Sequence, residues 1–171
     1  MKRAKITALA SAAALVTMLA VLTPAGADGG RKSNSVKADL DGFQEVPAIS
    51  STGSGEFQAR IAGDDSSFDF ELSYEGLEGT STLAAHIHLG QAGVNGGVSV
   101  FLCGGGGRPA CTPTSGTFTG TATASDVIGP AGQGIAAGEF DELLRAMREG
   151  ATYANVHTNK HPGGEIRGRI H

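Results

Sequence analysis

The chain has 171 residues, with 13 basic and 17 acidic side chains and a formal net charge of −4. This length allows one domain with a sizeable core. Binding to nucleic acid or to an anionic membrane surface needs a basic footprint, so the acidic balance argues against both as partners.

The first 27 residues have the order of a secretory signal peptide. Three basic residues open the segment, an apolar run follows to about Leu22, and the small residues Ala25-Gly26-Ala27 close it. The alternative is an uncleaved anchor helix, which the Ala, Ser and Thr content of the run and the break at Pro24 disfavour. We therefore expect a secreted, extracellular protein whose residues 28–171 carry a net charge of −7.

The two cysteines, Cys103 and Cys111, bracket a glycine-rich stretch, CGGGGRPAC. In an exported chain this pattern predicts one disulfide bond. The alternative is a redox pair or a thiolate metal site, but the spacing is not the CxxC of such motifs.

After a polar lead-in over residues 28–35, short segments alternate apolar with polar residues. EFQARI and SFDFELSY show the pattern most clearly, and similar runs lie at about 36–40, 82–89, 97–103, 116–123, 151–157 and 164–170. Alternation with period two is typical of half-buried antiparallel strands. About eight such strands predict an all-β domain over residues 36–171, an antiparallel Greek-key β-sandwich or flattened barrel.

One segment, GEFDELLRAMREG, breaks this rhythm. Its apolar residues follow the i, i+3, i+4, i+7 spacing of an amphipathic helix, and they are Phe140, Leu143, Leu144 and Met147. Acidic residues crowd the first turn and Gly150 stands where a C-terminal cap belongs. The sequence predicts one short helix that closes an end of the sheet.

Four of the five histidines occur in two of the predicted strand regions. In AAHIHLG the apolar residues face the core, so His86 and His88 point together from the outer face. In TYANVHTNKHPGG, His157 takes the outer side of its strand, and His161 follows in the next loop. If the two strands are neighbours, three imidazoles converge on one solvent-facing patch, and His161 is a candidate fourth.

Neutral imidazole is a borderline-soft nitrogen donor that suits copper and zinc better than calcium or magnesium. The histidines therefore predict a metal site, with copper preferred and zinc as the alternative. The competing interpretation is that they are ordinary strand histidines that hydrogen-bond to nearby loops. No GxSxG motif is present, and both cysteines are assigned to the disulfide, so a nucleophilic active site is not expected.

Three stretches together resemble the CHRD domain family, which is named from chordin. They are DGFQEVPAISSTGSGEF, LSYEGLEGTSTLAAHIHLGQAGVNGGVSVFL and YANVHTNKHPGGEIRGRI, and they span about residues 36–170 in the family's order. The resemblance implies an extracellular β-sandwich domain, and it specifies no activity.

The histidine pattern is also similar, more weakly, to that of copper–zinc superoxide dismutases. His86 and His88 resemble the HxH strand of those enzymes, and His157 resembles a later copper ligand. No histidine lies between His88 and His157, so the bridging imidazole and zinc loop of that family have no counterpart. Arg167 is a candidate for attracting an anion, or for pairing with Glu165 or Asp126.

Two hypotheses of different classes follow. One is a secreted copper-binding protein, with a superoxide dismutase-like oxidoreductase activity as its possible enzymatic form. The other is an extracellular module that binds a protein partner or serves a structural role, without metal and without catalysis.

Overall fold

A computed structural model describes residues 33–171. The expected signal peptide, residues 1–27, lies outside the described residues, as does most of the polar lead-in. The described part contains eight strands, β1 (Ser35–Asp41), β2 (Ser54–Ile61), β3 (Ser67–Glu75), β4 (Thr82–Leu89), β5 (Val98–Cys103), β6 (Gly116–Thr123), β7 (Thr152–Thr158) and β8 (Ile166–Ile170). One helix, α1 (Phe140–Arg148), lies between β6 and β7, and three short 3₁₀ turns accompany these elements.

The strands form one antiparallel sheet in the order β5-β4-β7-β8-β1-β2-β3-β6. After β6 the chain passes through α1 and returns with β7 beside β4, which is the long return connection of a Greek key. The two ends of the order, β5 and β6, approach each other, so the sheet curls into a nearly closed barrel. This confirms the predicted all-β Greek-key fold of about eight strands with one helix, in its barrel form.

The alternating residues of β2 and β3 form one side of the barrel core. Phe57 lies opposite Leu72, and Ile61 lies opposite Phe68, and all four side chains are buried. Burying each such side chain stabilises the fold by about 1.5–3 kcal/mol. The period-two pattern in the sequence therefore identifies the interior face of these strands.

The helix α1 packs its apolar side against the barrel, as its spacing predicts. The four expected residues are all buried, and they are Phe140, Leu143, Leu144 and Met147. The ring of Phe140 stacks on that of Phe68 with 5.8 Å between centroids. Gly150 follows the helix with φ of 64° and donates its backbone N–H to the carbonyl of Met147.

The same alternation in β4 and β7 decides which residues lie outside the barrel. Ala85 and Ile87 of β4, and Ala154 and Val156 of β7, belong to the buried core. Because successive side chains of a strand point to opposite faces, the residues between them lie on the outer face of the sheet.

The predicted disulfide between Cys103 and Cys111 is present. Cys103 ends β5, Cys111 lies in the loop that follows, and their Cα atoms are 5.2 Å apart. The bond closes the glycine-rich loop, in which Gly105 and Gly106 lie directly against the ring of Phe101. A Cβ at Gly105 would overlap that ring, so only glycine allows this close approach.

Removing this disulfide by Cys103→Ser and Cys111→Ser should lower the free energy of unfolding by about 2–3 kcal/mol, because the unfolded chain regains the entropy of an open loop. Equilibrium unfolding in urea measures the change. A reductant should lower the stability of the wild-type protein to the same level and leave the double variant unaffected. Equal stability of the two proteins would contradict the expectation.

Candidate metal centre

The pairing of β4 with β7 brings three histidines together on the outer face of the sheet. The two strands are direct neighbours, with Ala84 opposite His157, His86 opposite Asn155 and His88 opposite Tyr153. Directly opposite and diagonal side chains on one face of such a pair are in contact range. The ring centroids lie 5.3 Å apart for His86 and His88, 5.0 Å for His86 and His157, and 5.8 Å for His88 and His157.

These rings offer one nitrogen each to a common point. The three nitrogens lie within 4.8 Å of one another, and among residues 33–171 this is the one group of three or more His, Cys, Asp or Glu side chains so arranged. Bonds of about 2.0–2.1 Å to a single copper or zinc ion require nitrogens no more than about 4.2 Å apart. The limit of 4.8 Å is slightly longer than this, so one ion between the rings would require at most small rotations of the imidazoles.

The histidines are more buried than the sequence suggests. Only 9% of the surface of His86 and 7% of that of His88 is exposed, and His157 is half-buried. The rings do lie on the outer face of the sheet, but they do not form the expected solvent-facing patch. Phe101 packs edge-on to His86 at 4.4 Å between centroids, and Tyr153 stacks on His88 at 4.7 Å.

Backbone carbonyls fix the tautomers of two of the rings. Nδ1 of His88 lies 3.0 Å from the Gly96 oxygen, and Nδ1 of His157 lies 3.1 Å from the Pro162 oxygen. A carbonyl oxygen only accepts, so each Nδ1 carries the proton and each Nε2 has a free lone pair. A hydrogen bond from the other ring nitrogen to a carbonyl orients the metal-ligating histidines of known sites in this way.

Three buried nitrogens of this group have no hydrogen-bond partner. They are Nδ1 of His86 and Nε2 of His88 and of His157. A buried polar atom without a partner costs about 1–3 kcal/mol. A metal ion bound between the rings would satisfy all three nitrogens at once, so the donor set fits such an ion.

The surroundings keep the imidazoles neutral. Burial, together with the neighbouring His157 and His88, lowers the pKa of His86 to about 3. Burial lowers the pKa of His88 to about 4 although the Gly96 carbonyl opposes the change, and burial also lowers the pKa of His157. Neutral imidazole is the form that binds metal ions, so the lone pairs remain available well below pH 7.

His161 lies apart from this group. Its backbone N–H donates to Thr158 Oγ1, and its Nε2 lies 4.0 Å from Glu78 Oε2. Glu78 also pairs with Lys160. The structure thus brings together three of the four predicted ligands. It places the fourth, His161 of the β7–β8 loop, beside the carboxylate of Glu78, which lies between β3 and β4.

A buried ion pair lies next to the histidines. Both nitrogens Nε and Nη2 of Arg167 lie 3.0 Å from Glu45 Oε2, and the side chains are almost fully buried. Asn155 donates to Glu45 Oε1 at 2.6 Å. Burial raises the pKa of Glu45, while the Arg167 charge and the Asn155 hydrogen bond oppose this change.

Arg167 pairs with neither of the two partners expected from the sequence, Glu165 and Asp126. Glu165 is fully buried and accepts hydrogen bonds from Ser51 and Thr158 instead, and Asp126 pairs with Arg108 at 3.1 Å. The correct partner, Glu45, is 122 residues away in the chain. With its charge neutralised and its donors occupied, Arg167 is not a free cation that attracts an anion.

Arg167 is connected to the histidines through Tyr153. The guanidinium carbon lies 4.3 Å from the centroid of the Tyr153 ring, which in turn stacks on His88 with an interplanar angle of 3°. Arg167 also donates to the Val94 carbonyl and to Asn95 Oδ1, both in the loop between β4 and β5. That loop supplies Gly96, which holds His88.

The fold and the site define a disulfide-linked Greek-key barrel with a buried group of three histidines on its outer wall. Residues 36–170 match the CHRD domain. The chain therefore belongs to the CHRD-domain family. Among curated proteins, no relative matches the chain.

CHRD domains are extracellular, and the disulfide Cys103–Cys111 is the kind of bond that persists in that environment. Within residues 33–171, no helix has the length and apolar character needed to cross a membrane.

Removing the charge of Glu45 tests the buried ion pair. Glu45→Gln should lower the free energy of unfolding by about 3 kcal/mol, because it leaves the Arg167 charge buried without its counterion. The matched control is Glu56→Gln, the same change at an exposed position of β2, which should alter stability by less than about 0.5 kcal/mol. Urea unfolding of both variants measures the difference, and equal costs would contradict the statement that the buried Arg167 charge depends on Glu45 as its counterion.

Acid should destabilise the metal-free protein. A histidine in the unfolded chain has a pKa of about 6.5, whereas burial lowers the pKa of His86 to about 3 and that of His88 to about 4. The contribution of these two rings to the free energy of unfolding is therefore fully present well above pH 6.5. It decreases as the pH falls through 6.5, by about 2 kcal/mol per ring at pH 5. Unfolding in urea at pH 7.5 and pH 5 measures this loss.

The variant His86→Gln/His88→Gln should lose less stability over the same pH interval, since two of the unequal titrations are gone. His171→Gln, at the exposed C-terminal histidine, serves as the control and should retain the wild-type dependence. Identical pH dependence in all three proteins would show that the buried imidazoles do not cause the acid sensitivity.

Proposed function

We propose that this protein is a secreted CHRD-domain protein that binds one copper ion through His86, His88 and His157. The observation that carries the proposal is that these three rings each place a nitrogen within 4.8 Å of the others, and that each ring has one buried nitrogen without a hydrogen-bond partner. Secretion is part of the proposal and rests on the signal-like segment 1–27, the extracellular family and the disulfide.

The chemistry of the donors supports copper. Three neutral nitrogens without a carboxylate suit copper and zinc, whereas calcium and magnesium need oxygen ligands. Between the two suitable ions, divalent copper binds nitrogen sites more tightly than zinc in the Irving–Williams order. Zinc is therefore the alternative occupant, as the sequence suggests.

The proposal covers the binding of copper and does not include catalytic turnover of a substrate. The HxH strand resembles that of superoxide dismutases, but the chain has no histidine between His88 and His157 to bridge a second metal. Arg167, the nearby cation, is already paired with Glu45. These features support a protein that holds copper over one that attracts and converts an anionic substrate.

A second candidate function is an extracellular protein-binding module. Two exposed apolar residues favour it, Phe43 with 72% of its surface exposed and Val94 with 41%. They lie on two neighbouring loops that are joined by a hydrogen bond from Asn95 Nδ2 to the Val46 carbonyl. On this reading the histidines have only a structural role, and metal content stays at background in His86→Ala.

Copper binding can be tested by calorimetric titration of the metal-stripped protein with Cu(II) and with Zn(II). We expect one-to-one binding with a submicromolar Kd, and loss of that binding in His86→Ala/His157→Ala. His161→Ala is the matched control, because this histidine lies outside the group of three and should bind copper like the wild type. Copper at a hundredfold excess over Kd should also stabilise the fold by about 2.7 kcal/mol.

Two results would contradict the proposal: no stoichiometric binding of copper, either as Cu(II) or as Cu(I) in the presence of ascorbate, or binding that persists in the double variant. A melting temperature that is indifferent to both metals would point the same way. Any of these results would favour the protein-binding module.

A further inference from the structure

We infer that the three-histidine site prefers Cu(I) to Cu(II) and to Zn(II). This inference rests on the proposed function and adds the oxidation state of the ion. It follows from three properties of the site: the number of donors, the enclosure of their nitrogens and the charge of the surroundings.

The number of donors favours the cuprous ion. In residues 33–171 no fourth His, Cys, Asp or Glu joins the group formed by His86, His88 and His157. Cu(II) adopts tetragonal coordination and zinc is tetrahedral, so both need at least one more ligand. Cu(I), with a filled d shell and a single charge, is stable with three nitrogen donors.

The enclosure of the nitrogens makes a fourth ligand costly. The free nitrogens of the three rings are buried from solvent, so a water ligand has to enter a covered space. Phe101 closes the side of His86, and Tyr153 covers His88. The loop after β4 is held over this side by the hydrogen bonds of Gly96 with His88 and Tyr153.

The charge around the site also favours Cu(I). None of the three ligands is anionic, so a bound ion keeps its full charge. The guanidinium of Arg167 contacts Tyr153, which stacks on His88, and Glu45 faces that guanidinium from the segment after β1. Neutral ligands beside a balanced ion pair supply no net negative charge to the site. Such a site therefore destabilises the singly charged Cu(I) less than the doubly charged Cu(II) or Zn(II).

Competition with chelators under anaerobic conditions tests the inference on the metal-stripped full chain. Bathocuproine disulfonate with ascorbate reports Cu(I), and nitrilotriacetate reports Cu(II) and Zn(II). We expect Kd for Cu(I) to be at least about a hundredfold lower than Kd for Cu(II). This ratio raises the one-electron potential of bound copper by about 118 mV relative to the free ion.

The outcomes separate the inference from the proposed function. Equal affinity, or tighter binding of Cu(II) or Zn(II) that is lost in His86→Ala/His157→Ala, would overturn the preference and leave the metal site intact. Failure of every ion to bind, or binding unchanged in the double variant, would overturn both.

Removing the aromatic ring that packs against His86 should weaken the preference for Cu(I). Phe101→Ala lets water approach His86, so the ratio of the two dissociation constants should fall by about tenfold, or about 59 mV. Phe118→Ala removes another half-buried ring, which stacks on Tyr74, and it should leave the ratio unchanged. If the alanine variant does not fold, Phe101→Leu replaces it in the test. Leucine keeps an apolar side chain against His86, so this variant should retain most of the preference for Cu(I).

The ratio could prove to be the same in Phe101→Ala, Phe118→Ala and the wild type. That result would show that the ring of Phe101 does not set the preference for Cu(I). A ratio that falls equally in both alanine variants would assign the effect to general loss of stability. Either result would contradict the role given to enclosure.

Discussion

The antiparallel pairing of β4 with β7 is the constraint on which the site depends. It places His86 opposite Asn155 and His88 opposite Tyr153, and it puts His157 beside the small side chain of Ala84. A shift of one residue in this register would turn the histidines of one strand into the core. The buried set of Ala85, Ile87, Ala154 and Val156 prevents such a shift, so the packing of the barrel interior fixes the geometry of its outer wall.

The ion pair of Glu45 with Arg167 connects separate parts of the chain around that wall. A buried pair of this kind gives little net stability, because desolvation offsets much of the attraction. Its effect here is positional, since Arg167 holds the β4–β5 loop and Glu45 holds Asn155. Gly164 lies so close to these groups that a Cβ would overlap Glu45 Oε1 at 2.5 Å, which accounts for glycine at that point.

Much of the fold could be predicted because it follows from local patterns. Period-two alternation identified the strands, and the spacing of four apolar residues identified α1. The outward direction of His86 and His88 followed from the same rule. Their burial did not, because it depends on Phe101 and on the β4–β5 loop, which are placed by tertiary contacts. Glu45 was missed as the partner of Arg167 for the same reason. The signal available was a carboxylate in the motif QEVP, but nothing local distinguishes a buried carboxylate in a loop from an exposed one.

The bond between Cys103 and Cys111 has a further consequence for a protein outside the cell. It spans the exposed glycine-rich loop, which is the kind of segment that proteases cut first. A cut between the two cysteines would leave the fragment containing β1–β5 covalently joined to the fragment containing β6–β8. Because β4 and β7 fall in different fragments, the same bond would keep the histidines of both strands in one molecule after nicking.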